Sequence, residues 1–208
     1  MEKKFKELDK KNHSTEVFSS TNKKWNIQNK TKFWIGGHFP APNLSTGYHG
    51  LLKQWWDFYV TKPDADVLLV SEGNGVKPAF NKVYPGWIIK TTDKHYELQS
   101  KPDIIADICT PNSLPDGVFD LVLNQATLEH VYDPWTAIRN CIRAVKEDGM
   151  LIVHTHPPGM QYHSYPRDYI RFMKDWWYDI PYYLDNVELV EFAMTKNEHV
   201  FTAYRKIK

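Results

Sequence analysis

The chain has 208 residues, is 42% hydrophobic and 25% charged, and carries a net charge of +1. That balance suits a globular domain with a sizeable core and gives no field able to hold a nucleic acid backbone. No apolar run reaches the ~20 residues of a membrane span. The N-terminus has no apolar signal core, and Cys109 and Cys141 show no metal spacing, which reads as a cytoplasmic protein.

Residues 1–30 form a polar arm or linker. Within 1–33 nine lysines face four acids, so the arm is basic and the remainder mildly acidic. The chain can therefore be one domain of a longer polypeptide, and its oligomeric state is left open. Residues 31–208 read as a single domain, with a cap over 31–60 and an α/β core over 64–208. The segment 31–46 mixes aromatics with Gly and Pro, as an ordered loop does. In 47–60, Leu51, Leu52, Trp55, Trp56 and Tyr59 make one apolar stripe of a helix. Lys62-Pro63-Asp64 ends it.

An alternation follows. VLLV (67–70) is a short apolar strand, and 76–83 a short helix interrupted by Pro78. WIIKT (87–91) and DIIA (103–106) read as extended, and FDLVLN (119–124) as a strand. Asp133 and Pro134 suit the start of a helix over 134–146. MLIVH (150–154) is another strand. Residues 166–178 read as a helix, and 187–194 with 199–206 as a closing hairpin. Strands alternating with crossovers predict a mostly parallel Rossmann-like sheet covered on both faces, with an antiparallel C-terminal edge.

In such a sheet ligands bind beyond the carboxyl ends of the strands. SEGNG (71–75) sits there, and Gly73 and Gly75 let backbone approach a ligand. Asp93, 18 residues after Gly75, can accept from both ribose hydroxyls, and Asp107 from an exocyclic amine.

VLLVSEGNG (67–75), DICTPNSLP (107–115), FDLVLNQATLEHVYDP (119–134) and the run 137–153 together resemble the class I S-adenosylmethionine-dependent methyltransferases, in particular the type 11 group. HSYPRDYIRF (163–172) is similar to a stretch in members that methylate sugars and related metabolites. The resemblance implies a seven-stranded mixed sheet with adenosylmethionine as cofactor and S-adenosylhomocysteine as product. It implies that Gly73 and Gly75 lie beside the methionine and ribose, Asp93 on the ribose, and Asp107 with Ile108 on adenine; Glu72 is a candidate cofactor contact as a substitute for the acid usual at position 69, though its side chain leaves from a different point. Asn124 and Gln125 are implied at the methionine end and sulfonium. Two positions depart from the pattern: Leu69 stands where an acid is usual, and Ser71 where a glycine is. Weaker cofactor binding is expected from that.

The acceptor is read as a small molecule or glycan, methylated on a hydroxyl. A sugar hydroxyl has a high pKa and needs a base in reach. His130, His154, His156 and His163 fall where the strand ends should be. His156 or His163 is the candidate base, and Asp168 with Arg171 orients it or binds substrate oxygens. His130, Arg171 and Tyr48 are candidate substrate contacts. Phe33, Trp34, His38, Tyr48, Trp55, Trp176 and Trp177 are candidates for a lid, although the 47–60 stripe also reads as a covering helix, the preferred reading for Leu51, Leu52 and Trp55. Glu129-His130 reads as a loop-orienting pair, and Asp168 with Arg171 equally as a plain ion pair. No HxxxH or tight carboxylate pair appears, so a divalent metal is possible but not indicated. A non-catalytic module that binds the cofactor is the alternative, on the strength of Leu69 and Ser71. Nucleic acid is disfavoured as substrate, since Asn124-Gln125-Ala126-Thr127 follows the fourth strand where an NPPY-like tetrapeptide would be expected.

Overall fold

A computed structural model describes residues 47–95, 101–163, 167–194 and 198–207, with side chains from Leu52 onward. The predicted arm, the 31–46 loop and the side chain of Tyr48 lie outside the described residues. So do Phe33, Trp34 and His38.

In chain order come α1 (Gly47–Tyr59), β1 (Asp66–Val70), α2 (Lys77–Val83), β2 (Ile88–Asp93), β3 (Ile104–Ile105) and β4 (Phe119–Gln125). Then follow α3 (Pro134–Ala144), β5 (Val145–Thr155), α4 (Lys174–Tyr183), β6 (Val187–Met194) and β7 (Val200–Lys206). The seven strands lie in the order β3-β2-β1-β4-β5-β7-β6. All neighbours from β3 to β5 are parallel. β7 runs antiparallel to both β5 and β6, inserting between them. The expected mixed sheet is therefore present, with β6 rather than the antiparallel strand at the edge. The strand order reverses between β1 and β4, which puts the switch point at the end of β1.

Alternation within the strands feeds two cores. Val67 and Leu69 of β1 face the cluster of Leu52, Trp55, Trp56 and Phe80, from α1 and α2. Leu68 and Val70 face the opposite cluster of Ile138, Cys141, Trp177 and Ile180, from α3 and α4. Trp55 and Trp56 are fully buried, so the 47–60 stripe is a covering helix and these two are not lid residues. Trp177 is also core.

Local chemistry sets the helix ends. Asp133 accepts from the Thr136 amide at 3.0 Å, the N-cap expected before Pro134. At the other end Lys206 donates to the carbonyls of Arg143 and Val145 at 3.1 and 2.8 Å, where the helix dipole favours a cation. Pro78 occupies the first turn of α2 and starts that helix instead of interrupting it. Gly149 is compelled by space: a Cβ there would lie 2.7 Å from Val145 Cγ1 and 3.0 Å from the Asp120 carbonyl.

The helix expected over 166–178 is displaced. It begins at Lys174, and the described residues before it are not helical. The amides of Tyr169 and Ile170 donate to the Glu129 carbonyl, and that of Phe172 to the His156 carbonyl. Tertiary hydrogen bonds thus claim the backbone donors that a first helical turn would have left to water.

Candidate active site

Two groups of residues meet at the carboxyl edge of the sheet. The first follows β1 and β2. Ser71 adopts a left-handed backbone, φ 59°, at the position where the resemblance expects glycine. Gly73 is extended, with φ −95° and ψ 169°, so its value there is small size and not conformational freedom. The Glu72 amide donates to the Thr92 carbonyl at 3.1 Å, tying the turn to β2. Asn74 donates to the Lys101 carbonyl at 2.6 Å and accepts from Thr91 Oγ1 at 2.9 Å. Leu69 is buried in the α1-side core and leaves the turn clear.

Asp93 and Asp107 each close a local turn with one carboxylate oxygen. Asp93 Oδ1 accepts from the His95 amide at 2.7 Å, and Asp107 Oδ1 from the Cys109 amide at 2.9 Å. Both are only partly buried, so the second oxygen of each remains available to a ligand. Burial, and then the charge of Asp93, push the Glu72 carboxyl well above the usual carboxylate range. Two carboxyl groups crowded at a strand end suit a ligand that brings hydroxyl or ammonium donors. Asn140 holds the adjoining loop: it donates to the carbonyls of Ile108 and Thr110, both at 2.8 Å, and accepts from the Asn112 amide at 2.9 Å. Sequence reasoning missed it, since an Asn inside an amphipathic helix carries no distinguishing signal.

Asn124 stands opposite Val70 in the β1–β4 register, beside the turn. It is fully buried; Nδ2 approaches Cys141 Sγ at 3.7 Å, and Oδ1 has no hydrogen-bond partner. A buried amide oxygen without a donor costs ~1–3 kcal/mol. A cationic or donor ligand at the end of β4 would recover that cost. Gln125 follows it in β4, opposite His154 of β5.

The second group follows β4 and β5. Glu129, in a short 3-10 turn, is fully buried. Its Oε2 accepts from Thr155 Oγ1 at 2.7 Å, while Oε1 has no hydrogen-bond partner. The Nε2 atoms of His156, His130 and His163 lie 3.3, 3.7 and 3.9 Å from that same Oε1. His154 and His199 pack behind them, joined by a 2.9 Å hydrogen bond. His156 is buried; burial lowers its pKa, and the Glu129 charge only partly offsets this. His163 is the more exposed, with 36% of its side chain accessible.

Asp168 accepts the His163 amide at 2.8 Å and is paired with Arg171 through both oxygens. Burial opposes the Asp168 carboxylate, but the Arg171 bonds and the His163 amide outweigh it and bring its pKa to about 2. Asp168 therefore stays charged and anchors the His163 loop. The two residues pair as the sequence reading allowed, though without the helix it placed them on. Sequence reasoning brought His130, His156 and His163 to one region, but it read Glu129 as part of a loop-orienting pair and overlooked His199. Trp176 lines an outer groove with Trp135, Asp179 and Tyr183 between α3 and α4.

Residues 89–153, from β2 through β5, match the methyltransferase domain family. No curated protein matches the chain. Among solved structures, a SAM-dependent methyltransferase from Archaeoglobus fulgidus aligns with a TM-score of 0.54 and 15% identity, over 77% of this chain and 95% of that one. The Burkholderia thailandensis 1,6-didemethyltoxoflavin-N1-methyltransferase, solved with S-adenosylhomocysteine, aligns at 0.52 and 15%, over 77% and 84%. The [4+2]-cyclase SpnF aligns at 0.52 and 13%, over 80% and 84%. Strand order and the inserted antiparallel β7 give the chain the fold of these methyltransferases, and the segment from β2 through β5 carries the match to the methyltransferase domain family. The matched segment begins after the β1 turn, so it excludes Leu69 and Ser71, where the chain departs from the pattern.

Proposed function

We propose that the protein is an S-adenosylmethionine-dependent O-methyltransferase acting on a small molecule, with a sugar or glycan hydroxyl as first choice. The observation that carries this reading is the gathering of His130, His156 and His163 around the buried Glu129 at the ends of β4 and β5, beside the switch point. A phenol, thiol or amine needs little help to attack a sulfonium methyl; an alkyl hydroxyl needs its proton removed. An array of imidazoles supports a hydroxyl acceptor over the others.

Adenosylmethionine would supply the activated methyl group. The residues fit it in kind: the free oxygens of Asp93 and Asp107 suit ribose and adenine donors, and the buried Asn124 Oδ1 suits the methionine ammonium. Ile108, Gly73, Gly75, Glu72 and Gln125 complete that lining. On the acceptor side His163 is the accessible proton acceptor, fixed by Asp168 and Arg171, while His156 is buried behind it. The similarity of 163–172 to sugar-methylating members supports the acceptor class. The second reading, a module that binds the cofactor without turnover, draws on Ser71 and Leu69. That the [4+2]-cyclase SpnF has the same fold is a reminder that fold leaves the reaction open.

The test is transfer of labelled methyl from adenosylmethionine to a panel of sugars, glycans and other hydroxyl compounds. Transfer to a hydroxyl is expected, with His163→Ala slowing it ~10²–10⁴-fold while adenosylmethionine binding persists. Transfer confined to nitrogen acceptors, or binding with no turnover across the panel, would overturn the O-methyltransferase reading.

A further inference from the structure

The protonation pattern of the histidine cluster leads beyond a simple base. His130 Nδ1 lies 2.5 Å from the Arg167 carbonyl, and His156 Nδ1 is bonded to the Glu198 carbonyl. A carbonyl only accepts, so both rings donate from Nδ1 and, when neutral, carry a bare lone pair on Nε2. His163 Nδ1 sits 3.3 Å from the Gln161 carbonyl and equally far from Arg171 Nη2. Arg171 Nη2 has two hydrogens, and they go to Gln161 O at 2.9 Å and Asp168 Oδ2 at 2.5 Å. It has none left for His163, whose Nδ1 must therefore donate as well. Three Nε2 lone pairs then converge on a carboxylate oxygen that is itself buried and without a partner.

Four electron-rich atoms facing one another repel unless a positive centre lies between them. Protons serve poorly, since no Nε2 forms a hydrogen bond to Glu129 Oε1. A metal ion serves well. In a tetrahedral site with bonds of ~2.0–2.1 Å, neighbouring donor atoms lie about 3.3–3.5 Å apart. The 3.3 Å and 3.9 Å separations of His156 and His163 from the carboxylate oxygen bracket that spacing, and these three donor atoms all lie within 4.8 Å of one another. The Nδ1–H to carbonyl bonds are the outer contacts that orient metal-bound imidazoles.

We propose that Glu129, His156 and His163 form a binding site for one divalent first-row transition ion such as Zn²⁺, with the fourth position open. Two imidazoles and one carboxylate favour such an ion over Mg²⁺ or Ca²⁺, which prefer all-oxygen sites. His154 and His199, also near His156, are the poorer partners because they are already bonded to each other. An ion there would bind an acceptor hydroxyl in an open position and make it more acidic. That role rests on the methyl-transfer reading, in which the ion would replace His163 as the group that acidifies the hydroxyl; occupancy of the site does not rest on it.

The test is titration of chelator-stripped full-length protein with Co²⁺, read by visible absorption, with competition by Zn²⁺ and metal content by mass spectrometry. One equivalent is expected, giving the intense bands of a four- or five-coordinate nitrogen–oxygen site, displaced by Zn²⁺. His163→Ala, on a half-exposed loop, should weaken Co²⁺ binding at least tenfold with an unchanged circular dichroism spectrum, and His156→Ala likewise. Failure to bind one equivalent would overturn the site, as would both variants binding as the parent does, which would place the ion elsewhere. Adenosylmethionine binding, measured separately on the stripped protein, distinguishes failure of the metal site from failure of the methyltransferase reading.

Discussion

The two edges of the sheet solve opposite problems. At the amino edge the carboxylates are answered. Asp120 accepts the Asp66 amide at 2.8 Å, Lys146 at 3.0 Å and Lys62 at 3.2 Å, and Lys146 also reaches Asp66 at 2.6 Å. At the carboxyl edge two buried oxygens, Asn124 Oδ1 and Glu129 Oε1, have no donor, and Ser71 and Ala126 hold left-handed backbones. Unanswered polar atoms and strained backbone cost stability and persist where a ligand is to be received. The amino edge carries a left-handed residue too, Asp148, beside the tightly packed Gly149, so strain alone does not mark a site. The orphaned acceptors do.

The contrast can be broken from either side. Asp120→Ala should destabilise the fold by ~1–3 kcal/mol in a denaturant titration, because it strands the Asp66 amide and removes a carboxylate shared by Lys62 and Lys146. It should leave adenosylmethionine affinity as it was. Asp168→Asn should cost ~2 kcal/mol at pH 7, since the folded carboxyl, at about 2, lies below its unfolded value. A depressed acid lends stability above its unfolded pKa and loses it as pH falls through the folded one. The gap between parent and variant should therefore close from about pH 5 down to about pH 2; a gap constant with pH would show that the Arg171 pairing is not its source. Ser71→Gly should stabilise the protein by ~1 kcal/mol, as a left-handed residue with a Cβ costs ~1–2 kcal/mol and glycine returns part of that as chain entropy. A destabilised Ser71→Gly would mean that the serine side chain earns its place there.

The alternation of short apolar strands with crossovers was legible from the sequence, as were the N-cap at Asp133 and the place of Gly73, Asp93, Asp107 and Asn124 along the strand ends. What was not legible follows from tertiary forces. The helix expected at 166 starts eight residues later, at Lys174, because Glu129 and His156 carbonyls capture the amides of 169, 170 and 172. Glu129 looked like a loop residue, since nothing local shows that Thr155 will bind one oxygen and leave the other bare. His199 enters the cluster only because β7 inserts beside β5, a pairing between residues 45 apart in sequence. Trp55 is core, as the preferred covering-helix reading expects, whereas Trp177, a lid candidate, is core because the sheet face needs its volume first.

Calorimetry with adenosylmethionine and S-adenosylhomocysteine tests the central claim most directly. The account predicts one site per chain for both, weakened at least tenfold in Asp93→Ala and in Asp107→Ala. No measurable binding to the parent, or undiminished binding in both variants, would contradict it.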